Sequence, residues 1–243
     1  MPPVALLAWL AAVGFVAGLA RGFSGFGSAL IFVPLASIAV GPRVAAPILM
    51  IIDVVGSLSM LPAAWRDADR NAVFLMSAGT VAGIPLGTWV LTHADPGSVR
   101  WGLSLGILLL VGGLSAGWRY HGQPWRVVTT VVGALSGFLT GVAQIGGSVA
   151  VAYWLSGMSE ANRIRANMVL FLALSQVFAV GAYGVSGLFT RDVAVLALAA
   201  GPAFLAGVAI GSRMFGLASA LTFRRLCFAL IVLAAVGSLP LFS

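Results

Sequence analysis

The sequence predicts an all-α fold: a polytopic integral membrane protein of about eight transmembrane helices in two homologous repeats with glycine-rich broken helices. Composition is the first reason. Of 243 residues, 60% are hydrophobic and 8% charged, with a mean hydropathy of +1.08, too few polar groups to solvate a surface on all sides. The second is a series of apolar runs, each long enough for a hydrocarbon core of about 30 Å. The third is a pair of matching glycine-rich breaks, Gly14-Phe-Val-Ala-Gly18 running to Gly27-Ser28 and Gly137-Phe-Leu-Thr-Gly141 running to Gly147-Ser148.

Taken in order, the opening Met1-Pro-Pro-Val-Ala-Leu-Leu-Ala-Trp9 has an apolar core but no positive lead, and reads as a retained first membrane segment. The stretch 4–40 carries the first break. Apolar runs follow near 44–62, 71–92 and 98–118, then a second broken stretch near 126–157, then runs near 165–186, 193–212 and 222–242. Counting each broken stretch as one crossing gives eight. A hairpin or re-entrant segment is the alternative, because 4–40 exceeds a single pass.

Placing Gly147-Ser148 over Gly27-Ser28 also places Arg163 over Arg43. After a short shift, Gly207-Val-Ala-Ile-Gly211 falls over Gly83-Ile-Pro-Leu-Gly87, and Arg224 over Arg100. The repeats are therefore 1–119 and 120–243, joined around Arg119–Arg126, as one integrated membrane domain. The recurring Gly-x-x-x-Gly spacing sets two glycines one helical turn apart, where a neighbouring backbone can approach closely.

Charge excludes several classes. All 13 basic residues are Arg, against six acids, for a net charge of +7. Most sit at segment ends, where they anchor helices at headgroups instead of binding nucleic acid. They divide almost evenly between the two sides, so the positive-inside rule selects no orientation. Cys227 is the lone cysteine and forms no internal disulfide. Scattered acids and two histidines, His93 and His121, offer no metal-ligand spacing and no cofactor site. Gly22-Phe-Ser-Gly25 has the form seen around rhomboid nucleophiles, but neither histidine falls at membrane depth to take a serine proton. The chain is expected not to be an enzyme.

A helix stopped inside a membrane leaves backbone groups that protein, water or ligand must satisfy. Helices restarting near Ser28 and Ser148 would turn N–H groups and a positive dipole end toward each break, which favours an anion. The candidate binding residues are Arg21, Ser24, Gly25, Gly27, Ser28 and Arg43 in the first copy. In the second they are Gln144, Gly146, Gly147, Ser148, Arg163 and Asn167. Arg can grip sulfonate, sulfite, phosphate or carboxylate oxygens with two prongs. The alternative is that Arg43, Arg163 and Arg165 are interfacial anchors, with Glu160 pairing one of them. Asp53 stands alone in an apolar segment and is a candidate for carrying a coupling proton or for neutralising an Arg. Its equivalent is Ala173, so Ser175, Gln176 and Asn167 are candidates for neutral hydrogen bonds on that side. Asp67 and Asp69, among Arg66 and Arg70, read as a solvated turn.

Two copies with a Gly-Phe-x-x-Gly start, a glycine-rich break into a short apolar helix, and a polar restart at Pro42-Arg43 or Asn162-Arg163 resemble the TauE/SafE family of sulfite and organosulfonate exporters. The resemblance spans about 10 to 240. It implies a multi-pass secondary transporter of the bacterial inner membrane whose substrate is a small anion, with sulfite, sulfoacetate and related sulfonates leading. The expected mechanism is alternating access around a site between the repeats. A passive anion channel and a structural membrane subunit are the alternatives. Expected partners are the anion and the lipid bilayer, with no nucleic acid; proton coupling and a homo-oligomer are left open.

Overall fold

The computed structural model describes residues 3–24, 27–57, 61–115, 126–154, 161–214, 232 and 236. Among them every regular element is an α-helix. The order is α1 (Val4–Ser24), α2 (Ser28–Val40), α3 (Pro42–Ser57), α4 (Leu61–Asp67) and α5 (Arg70–His93). Then come α6 (Pro96–Ser115), α7 (Arg126–Ala143), α8 (Gly147–Trp154), α9 (Ala161–Val185) and α10 (Arg191–Met214). Five stretches among these residues are long and apolar enough to cross a membrane: Val4–Phe23, Arg70–His93, Arg126–Ala143, Ala166–Val185 and Arg191–Met214. The protein is thus a multi-pass, all-helical membrane protein. The run 222–242, Cys227, Glu160 and most of the 119–126 linker lie outside the described residues, apart from two positions in that run.

Local chemistry sets the helix ends. Asp69 accepts from the Ala72 N–H at 3.2 Å and caps α5, so it is a helix start as well as part of a polar turn. Asp95 accepts from Ser98 at 3.0 Å ahead of Pro96, which opens α6. Thr190 does the same for α10 through Val193 at 3.2 Å. Gly41, at φ 75, ends α2 by donating to the Ser37 carbonyl and then accepts from Val44 and Ala45 in the first turn of α3. A side chain at that φ would be strained. One residue therefore both stops and restarts the chain.

The chain divides into two compact units. The first contains 1–52, 94–112 and 188–243; the second contains 53–93 and 113–187. In the first unit α1 packs along α10. A Cβ on Gly18 would run into the Phe204 carbonyl, one on Gly22 into that of Val208, and those on Gly207 and Gly211 into those of Phe15 and Leu19. In the second unit α5 packs along α7 in the same way. Gly79, Gly83 and Gly87 lie on the Thr130, Ala134 and Phe138 carbonyls, while Gly133 and Gly141 lie on those of Met76 and Ile84. Backbone against backbone is what small-residue seams in lipid achieve through close van der Waals contact. The first helix of each sequence half is thus seamed to a helix of the other half.

Outward faces are apolar. Leu109 and Leu198 are each 77% exposed and Val177 is 68% exposed, as lipid-facing residues are in a solvent no more polar than they are.

Candidate functional site

Both glycine-rich breaks reverse the chain. The Trp9 indole N–H, near the start of α1, donates to the Leu35 carbonyl near the end of α2 at 3.2 Å. Had α2 continued in the direction of α1, these residues would lie about 35–40 Å apart at 1.5 Å per residue. In the second unit, Thr129 near the start of α7 and Tyr153 near the end of α8 share a hydroxyl–hydroxyl bond of 2.6 Å, which demands the same reversal. Fold-back is the alternative that the length of 4–40 left open. At 13 and 8 residues, α2 and α8 are also too short to cross a membrane.

In the first unit α1 ends at Ser24 and α2 begins at Ser28. Gly27 takes φ 96 ahead of Ser28, with no side-chain cap on α2. Ser28 is buried, as is nearly all of α2 through Ser37. Arg21 is placed within the last turn of α1 instead of in the break, half-buried, where a cation is favourable at a helix C-terminus. Arg43 is the second residue of α3, and its Nη2 donates to the Ala94 carbonyl at 3.0 Å. Gly25 lies outside the described residues, as does the side chain of Ser24.

The second turn is built in more detail. Just past the end of α7 stands Gln144, a non-glycine residue at φ 62 whose N–H donates to the Thr140 carbonyl at 2.9 Å. That is a left-handed helix cap, normally glycine. The last carbonyls of a helix lack intrahelical partners, and Tyr183 of α9, fully buried, supplies one: its hydroxyl donates to the Gly141 carbonyl at 2.9 Å. The Gln144 side chain is hydrogen-bonded to the same hydroxyl. Ser136 donates to the Gly146 carbonyl at 2.7 Å. Gly146 itself lies so close to Ser136 and Thr140 that no Cβ fits.

The start of α8 is also partly satisfied. The N–H groups of Ser148, Val149 and Ala150 donate to the Ile145 and Gly146 carbonyls of the turn. Those three amides are already engaged within the protein, so any anion at α8 must use other groups. Ser148 is buried, and Gly147 lies under Leu172 of α9.

The remaining candidates are separate. Asn167 is buried and its Oδ1 accepts from the Asp69 N–H at 2.7 Å, tying α9 to the start of α5. Arg163 is exposed near the start of α9. Asp53 is only 7% exposed on α3, and His93 closes α5 with its ring stacked on Trp89. The structure therefore gathers Gln144, Gly146, Gly147 and Ser148 into one cluster, and leaves Arg163 and Asn167 at other places. Sequence reasoning did not find Tyr183, Ser136 or Thr140, whose role appears only when α9 and α7 are seen to meet at the turn. Among the described residues no group of His, Cys, Asp or Glu could hold a metal ion.

No curated protein and no solved structure matches the chain. Over residues 10–238, nearly its whole length, the sequence matches the family described as Sulfite exporter TauE/SafE, and the chain belongs to that family of membrane transporters.

Proposed function

We propose that this protein is a secondary carrier that exports a small anion, with sulfite, sulfoacetate or another sulfonate as substrate, across the bacterial inner membrane by alternating access. The observation that carries this reading is the family match over 10–238. Two fold-back elements latched in corresponding ways, Trp9 to Leu35 and Thr129 to Tyr153, support reading the chain as two homologous repeats. Each places a buried serine, Ser28 or Ser148, at the restart of a short helix. The anion is held at these turns by hydroxyl and amide side chains, with Arg21, in the last turn of α1, supplying positive charge. Asp53 carries the coupling proton.

Expression in a sulfite-sensitive bacterium should raise tolerance to sulfite and speed loss of radiolabelled sulfite from preloaded cells. Unchanged efflux, with the protein present in the membrane fraction, would remove sulfite from the substrates.

A further inference from the structure

Most hydroxyls on these helices have partners. Thr88 and Thr140 donate to carbonyls one turn back, at 2.9 Å each, and Thr130 does so at 3.0 Å, the usual resort of a helical hydroxyl. Ser77 on α5 and Ser175 on α9 do not. Both hydroxyls are buried with no hydrogen-bond partner among the described residues, and so is the Oε1 of Gln176. Ser175 is 1% exposed. A buried polar atom without a partner in a membrane segment is costly and requires a reason.

These three atoms share one level of the second unit. The Asp69–Asn167 bond fixes the start of α5 beside α9. One turn on, Val73 and Met76 join Leu170 and Phe171 in one apolar cluster, so the two helices run in the same direction. A further turn brings Ser77 level with Ser175 and Gln176. Helical spacing also puts Leu172, Ser175, Gln176 and Tyr183 on one face of α9. Leu172 covers Gly147, and Tyr183 bonds the end of α7. Ser175 and Gln176 lie between these contacts and so face the α7–α8 turn.

We propose that Ser77, Ser175 and Gln176 form an uncharged subsite beside this turn for an oxyanion that carries its own O–H or N–H group. The hydroxyls donate to the oxyanion, and the amide oxygen accepts from the ligand's own donor. This rests on the transporter reading and narrows its substrate class to hydroxyl- or amino-bearing sulfonates and protonated sulfite. A site built to pair a ligand donor discriminates against analogues that lack it.

The test compares 2-hydroxyethanesulfonate with ethanesulfonate, using the full-length wild type, Ser175→Ala and Gln176→Met. Thermal unfolding of purified protein reports binding, and proteoliposome uptake reports transport. Wild type should bind and transport the hydroxylated compound about 3- to 10-fold better, the worth of one hydrogen bond. Gln176→Met should erase that preference while leaving ethanesulfonate within about twofold. Ser175→Ala should weaken both compounds by about 3- to 10-fold without lowering the unfolding temperature of the ligand-free protein, since no internal bond is lost.

Equal handling of the two compounds by wild type overturns the subsite. So does a ligand-free Ser175→Ala protein that unfolds earlier, which would mark a structural hydroxyl. Saturable uptake that is unchanged in both variants overturns the subsite and leaves the transporter standing. Ligand-dependent stabilisation lost in the variants, without uptake in any, supports the subsite and overturns the carrier.

Discussion

A side chain would be received very differently at two helical glycines, Gly18 and Gly106. At Gly18 the obstacles are the Phe204 carbonyl and the Val208 amide, backbone atoms that cannot rotate away; at Gly106 nothing lies within 4 Å. Gly18→Ala must push α1 from α10, and overpacking of this kind costs about 1–3 kcal/mol. Gly106→Ala should be neutral or gain up to about 1 kcal/mol in helix propensity. Thermal unfolding of the two variants in one detergent checks the contrast. Gln144 makes a second test. Gln144→Ala and Gln144→Gly both lose the bond to Tyr183, but only alanine keeps a Cβ at φ 62. The glycine variant should be the more stable by about 1–2 kcal/mol, the cost of the left-handed conformation. Equal stability would mean that the backbone relaxes on losing the side chain. The Gly-x-x-x-Gly spacing was legible from sequence because it is periodic. The strained Gln144 was not, since glutamine has no marked preference for that conformation and only the surrounding bonds hold it there.

Among the elements, the seams bear most on motion. α1 belongs to the first half of the sequence and α10 to the second, yet they lie backbone to backbone, as do α5 and α7. Neither pair can part without exposing carbonyls and amides packed at van der Waals distance. A Cβ built on Gly14 lies 3.7 Å from that of Ala200, close to the roughly 3.8 Å typical of a disulfide. Gly14→Cys with Ala200→Cys, in a Cys227→Ser background, should cross-link on oxidation and keep transport. Loss of transport restored by reductant would show that α1 and α10 separate during the cycle. The sequence announced the helices and the places where they stop. It did not announce which helices pair, because every glycine seam offers the same chemistry and partner choice depends on the chain reversals between α1 and α2 and between α7 and α8. Distant contacts that no local pattern encodes, among them Trp9 with Leu35 and Thr129 with Tyr153, latch those reversals.

For the whole molecule, an apolar exterior and a family match over 10–238 define a membrane transporter. Asp53, 7% exposed, is the acid proposed to carry the coupling proton. Asp53→Asn should leave binding intact and abolish the dependence of flux on a pH gradient; an unchanged dependence would give Asp53 a structural role instead. The broad class was readable from composition, because an apolar surface of this extent has only one compatible solvent. The candidate site was readable around its glycines and at Ser175 and Gln176, polar residues opposite Asp53 in the repeat. Ser77 on α5 looks, in sequence, like any other hydroxyl in a membrane helix.

The most direct test of the account is uptake of sulfite, sulfoacetate, taurine and plain carboxylates by proteoliposomes containing the purified protein, with and without substrate on the opposite side. A carrier predicts saturable sulfite or sulfonate uptake that is accelerated by unlabelled substrate on the trans side. Uptake that rises linearly with concentration, shows no trans-stimulation and accompanies unitary currents would contradict alternating access.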